Sequence, residues 1–305
     1  LVYFQDEPLA DWVCIPLHFV SKLTQANGVT VIQVGAGADE QFFGYSSYMQ
    51  YQRLYDKYWA PFRKYLPGFA QRSVAGMADL AARRRPGLKL YADIIDRAAR
   101  DREHFWSGAT VFWEGMKGDL VRREAFVPSP LHADVAATRL MPEGYQAADS
   151  YNVVDSFLGP FDRAHPGQDM MTRMIHSEFR LRLPELLLMR VDKITMSSSL
   201  EARVPFLDHQ LVDFSMDIPG PWKTKGGEPK YLLKKAVHDL LPEDLIYRRK
   251  QGFGAPMSQW LRGDFGEQAR RTIQGSQLMQ RGFFEPAAID AMVDQHRQGR
   301  SDYSQ

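Results

Sequence analysis

The 305-residue chain holds one cysteine, Cys14, which excludes an internal disulfide and any cysteine-rich zinc site. The thiol lies in the apolar stretch Trp12-Val13-Cys14-Ile15-Pro16-Leu17 and reads as a buried, reduced side chain, the common state of a free cysteine. An excess of either charge is missing too. The 38 Lys and Arg residues are balanced by 37 Asp and Glu, so no long-range field draws nucleic acid or an anionic membrane. No run of about 18 apolar residues occurs, and no basic region followed by an apolar one opens the chain. These absences predict a soluble protein of the reducing cytoplasm without a membrane or nucleic-acid partner. The eight histidines form no HExxH-type pair, residue order assigns no Ser-His-Asp triad, and His209 reads as structural.

What is present is ordinary in bulk: 44% hydrophobic and 25% charged residues, the balance of a globular protein with a sizeable core. The length exceeds the roughly 100 to 200 residues of one domain, yet no stretch has linker composition. One continuous body or two closely packed lobes are expected, with small-molecule chemistry.

The densest signal is VTVIQVGAGADEQFFGY, Val29 to Tyr45. A helix through His18, Phe19, Val20 and Leu23 is ended by Asn27-Gly28. The β-branched run that follows reads as a buried strand, and Gly35-Ala36-Gly37-Ala38 lets backbone approach a ligand. A strand buried on both faces needs parallel partners, and no convincing set of them follows. The pattern predicts an α/β remnant dominated by α-helices, with few strands. Asp39-Glu40 leaves two readings open: carboxylates that face nucleotide phosphates through Mg²⁺, or acids favoured at a helix N-terminus.

From Tyr48 the pattern is helical. Tyr48, Tyr51, Tyr55, Tyr58 and Trp59 recur at near-helical spacing and read as packing, and Arg83-Arg84-Arg85-Pro86 reads as a solvated helix end. Pro128, Pro130, Pro142, Pro160 and Pro166 mark candidate helix boundaries. A helix is predicted from about Leu183 to Ser199, with Pro184 in its first turn and Asp192-Lys193 inside it. Next comes SLEARVPFLDH, where Glu201, Arg203 and Asp208 need partners if buried. A basic stretch from Pro229 to Trp260 carries Lys230 and Lys250. Both are candidates for contacts to charge developing on a phosphate, although a lysine in a basic stretch is also simply solvated.

Three segments, VGAGADEQFFGY, DKITMSSSLEARVPFLDH and KYLLKKAVHDLLPEDLIYRRKQGFGAPMSQW, together resemble the synthetase domain of the asparagine synthetase B family over about Asp6 to Trp260. The resemblance implies a partial asparagine synthase domain over 1–305, part of an adenine nucleotide alpha hydrolase-like (ATP pyrophosphatase) fold. In it, 1–50 would be the remnant of the α/β nucleotide-binding core, 51–190 a helical insertion, and 191–305 a helical return with the active-site lysines. It implies a carbon–nitrogen ligase that adenylates a small carboxylate, aspartate or another such as a uronate sugar, with ATP and Mg²⁺. Ammonia from a glutaminase domain absent from this chain would then displace AMP.

By the same resemblance Val34, Gly35 and Gly37 would bind the nucleotide, Asp39 would hold Mg²⁺ and pyrophosphate, and Lys230 and Lys250 would be catalytic. Asp192-Lys193, Glu201, Arg203 and Asp208 would tie the helical part to the ligand loop, and a homodimer is compatible with the family. Two departures stand out. The family's nucleophilic Cys domain and SGGxDS loop do not occur, so the chain is expected to be the C-terminal part of a longer enzyme, feeble or inactive alone. Ala36 occupies the position of an acid in the family pattern SGEGADE, so the acceptor could differ or the activity be impaired. The alternative is a non-catalytic helical binding or assembly module that keeps the fold.

Overall fold

The computed structural model describes residues 1–5, 9–107, 111–122, 149–248 and 255–304. Helices dominate. In chain order they include α1 (Cys14–Ala26), α2 (Ala38–Gln41), α3 (Ser46–Leu54), α4 (Ala60–Tyr65), α5 (Gly68–Arg84), α6 (Lys89–Ala99), α7 (Glu114–Leu120), α8 (Ser150–Ala164), α9 (Met170–Arg180), α10 (Met189–Met196), α11 (His209–Met216), α12 (Gly220–Lys223), α13 (Tyr231–Ala236), α14 (Glu243–Ile246), α15 (Met257–Arg262), α16 (Asp264–Gln274), α17 (Gln277–Gln280) and α18 (Pro286–Arg297). The predicted first helix is α1. It ends where Asn27 Nδ2 donates to Leu23 O at 2.8 Å and Gly28 takes φ +78°, a left-handed cap that glycine adopts without strain.

Two strands, β1 (Val31–Gln33) and β2 (Glu201–Arg203), form a parallel sheet in which Val31 faces Glu201, Ile32 faces Ala202 and Gln33 faces Arg203. Two expectations are corrected here. A parallel partner for β1 does lie downstream; it escapes an apolar-run reading because two of its three residues are charged and point to solvent. Moreover, β1 is not buried on both faces, since Val29 and Val31 are each 40% exposed. A two-stranded sheet has too little area to be covered as parallel sheets usually are.

The predicted helix from Leu183 opens as a π-helical segment, Leu183–Leu188, with Pro184 in its first turn, and continues as α10. Pro160 lies inside α8 rather than at a boundary: it forfeits one backbone donor without ending the helix. Pro128, Pro130 and Pro142 lie outside the described residues.

The chain forms two compact units, Leu1–Thr110 with Val154–Gly254, and Val111–Val153 with Ala255–Gln305. The first has a core of Phe43, Tyr48, Phe105, Met170, Met171, Met174 and Ile175. Met170, Met171, Met174 and Ile175 recur at helical spacing, and this stripe is why α9 is central. Cys14 is buried, as expected, and burial raises its thiol pKa. In the second unit, Arg122 pairs with Glu285 beside an antiparallel bridge of Val121 to Phe284, and α18 packs on α15 and α16. No helix among the described residues is long and apolar enough to cross a membrane.

Candidate functional site

The loop between β1 and α2 is built by one glycine and one buried acid. Gly37 caps α2 at φ +94°, and a Cβ there would lie 2.4 Å from Leu207 Cδ2, so both conformation and space demand glycine. Glu40, 1% exposed, accepts the Gly37 N–H on Oε2 at 3.0 Å and the Tyr45 hydroxyl on Oε1 at 2.7 Å. Asp39 and Glu40 are thus both first-turn acids, and Glu40 is spent on the loop itself. Gly35 is exposed and faces open space. Val34 donates its N–H to Arg203 O at 2.8 Å, so that amide belongs to the sheet.

Asp39 meets Lys230. Lys230 Nζ stands 2.8 Å from Asp39 Oδ1, with both side chains partly exposed. The backbone brings them together: Lys230 N–H donates to Phe42 O at 3.1 Å, and Gly44 N–H donates to Asp39 O at 2.8 Å. A Cβ on Gly44 would fall 2.0 Å from Asp39 Oδ1 and 2.3 Å from Lys230 Cε, so the pair occupies the space that glycine leaves. Lys230 itself adopts φ +56° as the cap of α13. An ion pair this exposed stabilises the fold by about 1 kcal/mol at most, so its significance is positional. Lys250 lies outside the described residues.

No group of three or more His, Cys, Asp or Glu that could hold a metal occurs among the described residues. Mg²⁺ takes one or two carboxylates and fills its shell with phosphate oxygens and water, and Asp39 is the partly exposed carboxylate at this loop, with the Lys230 ammonium beside it.

Under the loop lies a polar network. Glu178, fully buried on α9, accepts from the Tyr48 hydroxyl and, at 3.1 Å, from Arg182 Nη1. The Arg182 guanidinium also stands 4.5 Å from the Tyr45 ring centroid. Burial, then the Glu178 carboxylate, pushes the Tyr48 phenol far above its ordinary pKa, and burial with Glu40 does the same to Tyr45. Both phenols are therefore fixed donors. Burial works most strongly against the charge on Arg182, but Glu178, Tyr45 and Tyr48 together outweigh it and the guanidinium pKa rises. Tyr48 packs in the core as its spacing predicts, while the helical spacing alone does not mark Glu178 and Arg182 as its partners. The available signal was an acid four residues before an arginine on the otherwise apolar stripe of α9.

The expected tie through Glu201, Arg203 and Asp208 takes another form. Glu201 and Arg203 are largely exposed and pair with each other at 2.8 Å, while Asp208 caps α11. Asp192 is exposed as well. Contact with the loop is made instead by backbone: the strand pairing, and the Phe206 carbonyl, which accepts from Gln41 Nε2.

The family model for asparagine synthase matches residues 1–305. The chain is 32% identical over 278 residues to asparagine synthetase [glutamine-hydrolyzing] 1 of Bacillus subtilis, covering 91% of this chain and 38% of that protein. It is 30% identical over 307 residues to a putative asparagine synthetase [glutamine-hydrolyzing] of Mycobacterium bovis, covering 100% of this chain and 41% of the relative. A further match, to asparagine synthetase [glutamine-hydrolyzing] 3 of B. subtilis, is 43% identical over 67 residues, 22% of this chain and 11% of that protein. The chain therefore spans about two fifths of the length of the first two relatives. No solved structure gives a significant match. With the family model matched from end to end, this chain belongs to the asparagine synthase family.

Proposed function

We propose that the chain carries the synthetase part of a glutamine-dependent amidotransferase, a carbon–nitrogen ligase that consumes ATP, on an adenine nucleotide alpha hydrolase-like core. The observation that carries this reading is the Asp39–Lys230 pair packed across Gly44 at the end of β1, where α/β sheets bind ligands. The relatives' names supply the reaction class: all three are named glutamine-hydrolyzing asparagine synthetases, one of them putative.

In this reading a carboxylate oxygen of the acceptor attacks the α-phosphorus of ATP, pyrophosphate leaves, and ammonia from a glutaminase domain displaces AMP to form the amide. Mg²⁺, when bound with ATP, neutralises phosphate charge, and Asp39 is the side chain that would hold it. Lys230 begins paired to Asp39 and can follow the charge developing on phosphate with its mobile ammonium, and Lys250 is assigned the same task. Gly35, exposed and facing open space, leaves room for the nucleotide beside the Val34 backbone, while Gly37 turns the loop and Glu40 keeps its amide in place. The half-buried Ala36 can move no proton, so either another residue compensates, the acceptor is a carboxylate other than aspartate, such as a uronate, or the activity is impaired.

The test uses the longer protein that contains this chain. With glutamine, Mg-ATP and a panel of carboxylates it is expected to release AMP and pyrophosphate; release of ADP overturns the reading. Asp39→Asn is expected to abolish pyrophosphate release with the unfolding midpoint unchanged, and wild-type turnover by that variant would remove Asp39 from the site.

A further inference from the structure

A second concentration of polar groups lies in the first unit, apart from the loop. A cleft of about 360 Å³ opens beside a π-helical turn, Tyr55–Trp59, and is also lined by α4, by the residues after α6 and by Arg173 of α9. That volume is within the usual range of small-molecule sites. The π-turn, in which the Ala60 N–H donates to Tyr55 O, is the kind of one-residue insertion that recurs at functional sites. Asp101 on the rim adopts φ +57° and is held by Arg63.

His104 is the unusual member of the wall. It is 3% exposed, with ring centroids of Trp59, Tyr51 and Tyr55 at 4.7, 5.6 and 5.7 Å. Its Nε2 lies 2.9 Å from Tyr51 O, and a carbonyl only accepts, so Nε2 carries the hydrogen. Burial lowers the ring's pKa to about 4, which leaves Nδ1 with its lone pair at neutral pH. That atom is buried and has no partner among the described residues, a rare state for a buried nitrogen.

The rest of the wall is cationic. Arg63, Lys64, Arg102 and Arg173 line it against two carboxylates, Asp101 and Glu103. Asp101 is engaged by Arg63, and Glu103 by Arg173 at 2.7 Å. Lys64 is exposed and makes no ion pair with a described residue.

We propose that this cleft binds a small hydroxy- or amino-carboxylate, its carboxylate on Lys64 and its O–H or N–H donating to Nδ1 of His104, which the entering ligand uncovers from the surrounding rings. Simple anions satisfy only half of that wall. The cleft shares no residue with the Asp39–Lys230 pair, although edge-to-face contacts of Tyr51 with Phe105 and of Phe105 with Tyr48 join their surroundings.

The probe is L-malate, titrated into the full chain with ¹⁵N-labelled histidine. A saturable shift of the His104 Nδ1 resonance is expected, and Lys64→Gln, a change at an exposed position, should weaken binding about tenfold. Asp39→Asn should leave malate affinity unchanged, which separates this cleft from the loop site. Succinate, with the same charge and no hydroxyl, should bind more weakly and leave Nδ1 unmoved. The proposal is overturned by an Nδ1 signal that does not move with malate, by equal binding of malate and succinate, by indifference to Lys64→Gln, or by loss of malate binding in Asp39→Asn.

Discussion

Two glutamate–arginine pairs serve the same loop and differ in every property that sets their energy. Glu178–Arg182 has side chains 0% and 13% exposed and holds the hydroxyl of Tyr48; Glu201–Arg203 is 58% and 63% exposed and touches the loop only through backbone. The charges are identical and the consequence is opposite. In water an ion pair exchanges one set of good contacts for another, whereas a buried charge that loses its partner has nothing to replace it. The exposed pair sits in one of the three segments that carry the family resemblance, yet the inconspicuous one is the pair on which the loop's foundation depends.

The comparison can be broken most sharply at Glu178. Glu178→Ala should cost roughly 3–5 kcal/mol in urea unfolding, because Arg182 and Tyr48 stay buried without their acceptor. A loss as small as that of a surface substitution would remove the network from the foundation of the loop. His104 provides the next largest effect through pH. Its folded pKa, about 4, lies below the ordinary 6.5, so the unfolded chain binds the extra proton between these values. Its contribution is present above pH 6.5 and is lost as pH falls towards 4, amounting to about 3 kcal/mol by 1.36 kcal/mol per unit. Stability measured across that window in the wild type and in His104→Phe should diverge, the variant losing less on acidification.

Gly44→Ala tests the loop itself. The added methyl overlaps Asp39 and Lys230, and overpacking of this kind costs about 1–3 kcal/mol. Its larger consequence should be loss of pyrophosphate release in the longer protein, with near-native circular dichroism; full activity would show that the pair can re-form elsewhere. The smallest effect is expected at the exposed pair. Glu201→Ala and Arg203→Ala should leave the unfolding midpoint unchanged within error, and a drop comparable to that of Glu178→Ala would erase the distinction drawn between the two pairs.

Part of the local backbone was legible in the chain. The acids Asp39-Glu40 allowed the first turn of α2 as one of two readings, and the helix ahead of Asn27-Gly28 followed from its stop signal. Local rules carry such features because a φ above zero or a helix end is decided within a few residues. Strand β2 was illegible because its outward residues are charged and its apolar content is a single alanine. The burial of Glu178 had one faint signal, its place on the apolar stripe of α9, since an i,i+4 acid–arginine pair by itself looks the same on a wet face and a dry one.

The sequence by itself determined the helical predominance, the buried thiol of Cys14, the helix stop at Asn27-Gly28 and the family, all of which depend on residue type and short spacing. Only the tertiary structure decided that Lys230 meets Asp39, that Gly44 must be small, and that Glu178 rather than Glu201 is withdrawn from water. The reason is physical: contact and dielectric are properties of what folds against a residue, and the residues that do so here are distant in the chain.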